Sequence, residues 1–156
     1  MFQRIQTLHL LVTLVAAVIF FFFPFAKYFT LEGTYEFSVT GMKLFTDSSI
    51  TTTMYPLPVL LLSLTSIVII LIIVALLMYK NRIKQMRIIA VAFLFNAILI
   101  GAMFFLADKY GSTFKVDANY KNVGLLMPLI ILIFLLLANK GIRNDEIKMR
   151  KSNRIR

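Results

Sequence analysis

The sequence predicts an all-α membrane protein, a four-transmembrane-helix antiparallel bundle carrying a small extracytoplasmic β-hairpin or three-stranded sheet. Three observations lead there. Of the 156 residues, 60% are hydrophobic, and the mean hydropathy of +0.85 lies far above that of an ordinary soluble domain. The apolar residues are gathered into four blocks without a charge, Leu8 to Ala26, Tyr55 to Tyr79, Ile88 to Ala107 and Val123 to Asn139. The lysines and arginines between the blocks are sorted to one side of them.

Each block runs roughly 17 to 25 residues, the length that crosses a hydrocarbon core of about 30 Å. In lipid a backbone amide has no water to bond, so a spanning block satisfies its amides internally and forms a helix. The spans are expected at about 8–26, 55–79, 88–107 and 123–139. Outer loops then cover 27–54 and 108–122, an inner loop covers 80–87, and a basic tail covers 140–156. The first block follows a short basic start but is longer than a signal-peptide core, and Pro24 to Tyr28 lacks a small-x-small cleavage pattern, so it reads as a retained helix.

Of the 17 basic residues, Arg4, Lys80, Arg82, Lys84, Arg87, Lys140, Arg143, Lys148, Arg150, Lys151, Arg154 and Arg156 fall on one side. Short cytoplasmic loops retain Lys and Arg, which places both ends of the chain in the cytoplasm. With Asp145 and Glu146 as its acids, that side carries all of the formal net charge of +10. The outer loops balance Lys27, Lys43, Lys109, Lys115 and Lys121 against Glu32, Glu36, Asp47, Asp108 and Asp117. Tyr28, Tyr55, Tyr110 and Tyr120 stand at the four outer ends, as rings of an interfacial belt do, and Tyr79 marks the inner face.

The loops differ in kind. Eight residues from Lys80 to Arg87 force the second and third helices to be antiparallel neighbours. In the first outer loop Tyr35, Phe37 and Val39 alternate with Glu36 and Ser38, a strand pattern, and Gly41 offers a turn before Met42 to Phe45. In the second, Phe114, Val116 and Ala118 alternate with Lys115, Asp117 and Asn119 more briefly. Glu32 and Glu36 are read as solvent-facing.

Several chemistries are disfavoured. The chain has no cysteine and one histidine, so thiol redox chemistry, Cys metal sites and bis-histidine haem ligation within one chain are excluded. No span contains an ionisable carboxylate, which argues against a proton-coupled exporter. No catalytic constellation, cofactor motif or metal set is present, and His9 reads as a helix-contact residue. Asn96 lies mid-span in the third helix, with Thr13, Ser63, Thr65 and Ser66 as candidate hydrogen-bond partners. Ala97 and Gly101 form a small-xxx-small pair beside it, read first as a contact inside the bundle and second as a contact with another copy.

Three segments resemble a known family. The start Met1-Phe2-Gln3-Arg4-Ile5-Gln6-Thr7 is similar to the opening Met-Ile-Gln-Arg-Ile-Gln-Thr of an uncharacterised family of small four-span Bacteroidota membrane proteins, with Phe2 in place of Ile. Tyr79-Lys80-Asn81-Arg82-Ile83-Lys84-Gln85-Met86-Arg87 resembles that family's inner loop. Asp145-Glu146 and the ending Ser152-Asn153-Arg154-Ile155-Arg156 resemble its tail, with Asn153 where Asp is usual. The resemblance implies an inner-membrane location and no particular activity.

All three segments lie on the basic side, where polar residues beyond those needed for topology accumulate. The expectation is a non-enzymatic accessory or assembly subunit of a larger envelope complex. Its contacts with a membrane-protein partner or with lipid fall on Arg4, Lys80, Arg82, Lys84, Arg87, Arg143, Lys148, Arg150, Lys151, Arg154 and Arg156. RNA is the weaker partner for that surface, each basic residue near an anionic leaflet being worth roughly 1 kcal/mol of attraction to lipid itself. A carrier of lipid or of a hydrophobic small molecule, with a cleft between helices, is the alternative.

Overall fold

The computed structural model describes residues 3–31, 33–46, 49–53, 58–79, 81–120 and 122–153. In chain order they form α1 (Gln3–Phe22), β1 (Ala26–Thr30), β2 (Gly33–Ser38), β3 (Gly41–Thr46), β4 (Ser49–Thr53), α2 (Pro58–Leu77), α3 (Arg82–Phe114) and α4 (Val123–Asn153). One helix falls on each of the four apolar blocks. All are long and apolar enough to cross a membrane.

Helix ends follow local chemistry. α1 stops two residues before Pro24, whose ring disfavours helical backbone in the residue preceding it. α2 opens on Pro58, which needs no amide partner at a first helical position. α3 and α4 outrun their apolar blocks: at 1.5 Å per residue, 33 and 31 residues make rods of about 50 and 47 Å. α3 continues through Asp108 to Phe114 because Ala107, Tyr110 and Gly111 are buried there. It ends where Lys115 turns left-handed (φ 53°) and the Val116 amide donates to Gly111 O at 3.1 Å.

The helices alternate in direction, and the sides of the bundle are α1–α4, α2–α3, α3–α4 and α1–α2, with α1–α4 the most extensive and α1–α2 the least. Leu10, Ala17, Phe20, Leu61, Ile72, Ala75, Leu99, Met103, Ile131 and Leu135 fill the centre. Only 28–33% of each span is buried, and leucine, isoleucine, valine and phenylalanine cover much of the outward surface. A helix apolar all round belongs inside a protein or in lipid, and here the protein covers one side only.

The first outer loop folds into a four-stranded antiparallel meander in the order β1-β2-β3-β4, one strand more than expected. β1 and β4 are the unforeseen members, and Ala26, expected at the end of the first span, belongs to β1. Tyr35, Phe37 and Val39 are buried together as their alternation predicts. Ser38 pairs with Gly41 across a two-residue turn, and its hydroxyl donates to Gly41 O at 2.8 Å. Gly33 has φ +143°, and a Cβ there would lie 2.5 Å from Phe45 O, so both backbone and space demand glycine.

Among its described residues the second outer loop adds no strand. It contributes one bridge, Lys27 to Asn119, with N···O distances of 3.1 and 2.8 Å, which covers the β1 edge. Phe114 belongs to the helix instead. Glu36 pairs across strands with Lys27 at 2.5 Å and is half-buried, in contrast to the solvent-facing expectation.

The sheet rests on the end of the bundle through aromatic rings. Phe25 and Tyr110 each lie 4.9 Å from Phe37, ring centre to ring centre. Tyr28 is fully buried and donates to Ala107 O at 2.8 Å. Tyr28 and Tyr110 are therefore packing residues of the sheet–bundle junction and not an interfacial belt. Tyr55 lies outside the described residues.

Candidate functional site at the basic end

The end of the bundle opposite the sheet gathers the first turns of α1, the α2–α3 connection and the last third of α4. These are the segments that carry the family-like residues. A polar group buried at a helix end requires a partner, and Gln6, Gln85 and Asp145 find theirs within the chain. Gln6 Nε2 donates to Asp145 Oδ2, fastening α1 to α4. Gly141, one turn before Asp145, leaves room for that side chain: a Cβ would stand 3.2 Å from Gln6 Cγ. Gln85 Nε2 donates to Ala75 O at 3.0 Å. Ala75 O is one of the four terminal carbonyls of α2 that have no partner in their own helix, so Gln85 caps α2 from α3.

The connection is tight. The Asn81 amide donates to Met78 O at 3.1 Å, and the Gln85 amide donates to Asn81 O at 2.9 Å. Gln6, Gln85 and Asp145 are thus internal fasteners, each under 10% exposed. Sequence reasoning counted them as signs of a recognition surface. Their burial could not be read from spacing because each partner lies in a different segment.

Beside them, between α1 and the α2–α3 connection, lies a cleft of about 440 Å³ lined by Gln6, Thr7, Leu8, Leu11, Tyr79, Arg82 and Gln85. It sits against the least extensive side of the bundle. Of the expected contact residues, Arg82 lines this cleft, and Lys84, Arg87 and Arg143 are exposed around it and on α4, as is Lys140. Arg4 falls in the first turn of α1, and Lys148, Arg150 and Lys151 in the last turns of α4. Lys80, Arg154 and Arg156 lie outside the described residues.

The mid-span polar residues are placed differently from expectation. Asn96 is fully buried and its Nδ2 donates to Pro128 O of α4 at 2.9 Å. Thr13, Ser63, Thr65 and Ser66 are not its partners. Their hydroxyls donate to carbonyls three or four residues back in their own helices, at 2.6–2.9 Å. Ala97 and Gly101 face outward, and a Cβ on Gly101 would meet nothing within 4 Å, so they make no close helix contact inside the bundle. The close approach is elsewhere, at Gly124, where a Cβ would lie 2.4 Å from Pro24 O. His9 packs its ring 5.8 Å from that of Phe134.

At the sheet end Tyr120 donates to Asp108 Oδ1 at 2.9 Å. Burial, with the Asp108 hydrogen bond and charge, pushes its phenol up to about 12. Burial foremost, then the charges of Tyr120, Asp108 and Tyr110, raises Tyr28 further. Both phenols stay protonated and serve as donors that tie loop to helix. Among the described residues no group of three or more His, Asp or Glu side chains is gathered as metal ligands would be.

The sequence has no match among curated proteins. A family model does match, and it runs over residues 2–155, from the first turn of α1 through the four-stranded sheet to the basic end of α4. The chain belongs to that family, described as a domain of unknown function, DUF4293.

Proposed function

We propose that the protein is a non-enzymatic integral protein of a bacterial inner membrane, with its basic end in the cytoplasm and its sheet outside. In this reading it acts as an accessory or assembly subunit of a larger envelope complex. One observation carries it: α4 does not stop at the apolar boundary near Asn139 but continues as helix to Asn153. Those 14 further residues extend about 21 Å. Lys140, Arg143 and Asn144 are exposed on this extension, and its base is held to α1 by the Gln6–Asp145 bond. A rigid cationic rod suits an acidic surface of a partner better than a loose tail does, because its ordering entropy is spent on folding and not on binding.

The test is affinity purification of the full chain in mild detergent, beside the variant K140E/R143E. Recovery of wild type with stoichiometric membrane-protein partners, lost in the variant, is the expected result. A lone chain in both cases refutes the subunit reading. The cleft beside Arg82 favours a second reading, a carrier of lipid or of a hydrophobic small molecule, for which transfer of labelled lipid between vesicles is the direct assay.

A further inference from the structure

The two edges of the sheet differ. At the β1 edge the backbone of Lys27 exchanges hydrogen bonds with Asn119, at 3.1 and 2.8 Å. At the other edge β4 has β3 on one side, and among the described residues no strand or bridge lies on its other side. In an antiparallel sheet successive residues direct their N–H and C=O to opposite sides. Lys27, bonded to Asn119, therefore directs its own away from β2. The row Lys27, Glu36, Lys43, Thr52 is partnered strand to strand and carries that alternation across the sheet. Glu36 and Lys43 turn their backbone groups toward each other, and Thr52 turns its N–H and C=O away from β3, to the open edge. Ile50, two residues earlier, does the same.

β4 carries none of the devices that close an edge. Native sheets blunt theirs with lysine, proline, a bulge or a covering loop. β4 reads Ser49-Ile50-Thr51-Thr52-Thr53, without charge, proline or glycine, and all but Ser49 are β-branched residues that favour extended backbone. Which strand fills the edge follows from register. A second β4 laid antiparallel against the first, with Thr51 opposite its own copy, sets Ile50 of each opposite Thr52 of the other. This is the one twofold register in which both residues with open groups are paired inside β4. No like charges meet in it, because β4 has none. The nearest cation, Lys43 on β3, stands at least three strand spacings from its copy, about 14 Å, beyond the screening length of about 8 Å at physiological salt. The membrane permits the same axis. The rings of Phe20, Phe25 and Phe37 follow one another at 6.0 and 4.9 Å from the bundle interior to the buried face of the sheet, so the sheet lies across the end of the helices. A twofold axis perpendicular to it runs along the helices, the direction that two equally oriented copies in one membrane share.

We propose that β4 is a contact between two copies of this chain, which joins their four-stranded sheets edge to edge through the backbones of Ile50 and Thr52. The contact is isologous, so it closes at two copies and leaves only the β1 edges, which Asn119 meets. Two copies confined to one membrane have less freedom to lose on pairing, so a short edge suffices. The proposal goes beyond the docking role of α4 and uses no residue of the basic end. It also places the contact in the sheet, not on the outward face of α3 where Ala97 and Gly101 lie.

The chain has no cysteine, so single cysteines report the contact without background. Full-length T51C and T53C are reconstituted in vesicles of phosphatidylethanolamine and phosphatidylglycerol, oxidised with copper phenanthroline and read on non-reducing gels. In the proposed register Thr51 Cα lies about 4.5 Å from its copy, within disulfide reach, whereas Thr53 Cα lies about 14 Å from its copy, beyond it. T51C is expected to crosslink at least about tenfold faster than T53C. Two charged variants are then compared in the T51C background, each first shown to keep its helicity. I50K/T52K sets lysine opposite lysine across the axis and is expected to lower crosslinking about tenfold, whereas I50K/T52E sets lysine opposite glutamate and stays within about twofold of the parent. Equal crosslinking of T51C and T53C, or none in either, overturns the contact. That comparison leaves Ile50 and Thr52 in place, so it decides the matter whether or not the charged variants fold. Equal losses in the two charged variants overturn the edge pairing. Crosslinking of T51C in native membranes to a different envelope protein, and not to itself, overturns the second copy in favour of a partner's strand.

Discussion

Replacing Asp145 by leucine tests whether the basic end is held together from within. Gln6 and Asp145 are 8% and 9% exposed, and the Gln6 amide donates to the Asp145 carboxylate across the α1–α4 side of the bundle. A hydrogen bond to a charged group contributes about 1.5–3 kcal/mol, and a buried group left without its partner costs about 1–3. D145L is therefore expected to lose about 2 kcal/mol by stranding the amide. Q6M, which keeps the straight side chain that passes Gly141, is expected to lose about as much by stranding the carboxylate. The double variant leaves neither group without a partner and loses no more than about 2, where independent sites would lose about 4. D145N keeps an acceptor but not the charge, and its loss is about 1 kcal/mol. Unfolding is followed by circular dichroism at 222 nm as the dodecyl sulphate fraction of maltoside micelles is raised. A coupling below about 0.5 kcal/mol between Gln6 and Asp145 would refute the fastener and return both residues to the surface.

Three further predictions follow from the geometry. G124A and G101A have opposite signs in the same unfolding titration: G124A destabilises because its Cβ meets Pro24 O at 2.4 Å, while G101A, which meets nothing within 4 Å, is neutral or stabilising by up to about 1 kcal/mol. Y28F removes the bond to Ala107 O and is expected to cost about 1–2 kcal/mol, with hydrogen exchange faster in β1 and β2 but unchanged in α2. For pH, the Tyr120 phenol ionises near 12 in the folded chain and near 10 when unfolded. The fold therefore favours the neutral form, and that stabilisation is complete below pH 10 and is lost as pH rises from 10 to 12. Melting against pH, with absorbance at 295 nm reporting phenolate, is expected to show this decline, and Y120F to reduce it, the remainder coming from Tyr28, whose phenol is raised further. A decline unchanged in Y120F would assign it to other groups.

The resemblance between expectation and structure is closest where the physics is local. Leu8 to Phe22 and Pro58 to Leu77 form helices because long charge-free runs have one way to satisfy their amides. The buried face of Tyr35, Phe37 and Val39 follows from a period of two. β4 was also legible in principle, since Ile50, Thr51, Thr52 and Thr53 are all β-branched, but without its neighbour β3 the run reads as loop. The polar stretch Asp108 to Thr113 carries no helical signal of its own. It is helical because Tyr110 and Gly111 pack beneath a sheet formed more than 50 residues earlier.

The same division holds for the site. Sequence alone determined the four apolar helices and the side on which the cations gather, because hydropathy and charge are properties of residues whatever their neighbours. Tertiary structure alone decided that Gln6, Gln85 and Asp145 close the bundle, that Tyr28 and Tyr110 seat the sheet, that Asn96 binds Pro128 O and that Gly101 faces outward. A polar or small residue has several uses of similar energy. Which one it serves depends on which distant segment lies opposite, and that is settled only when the helices pack.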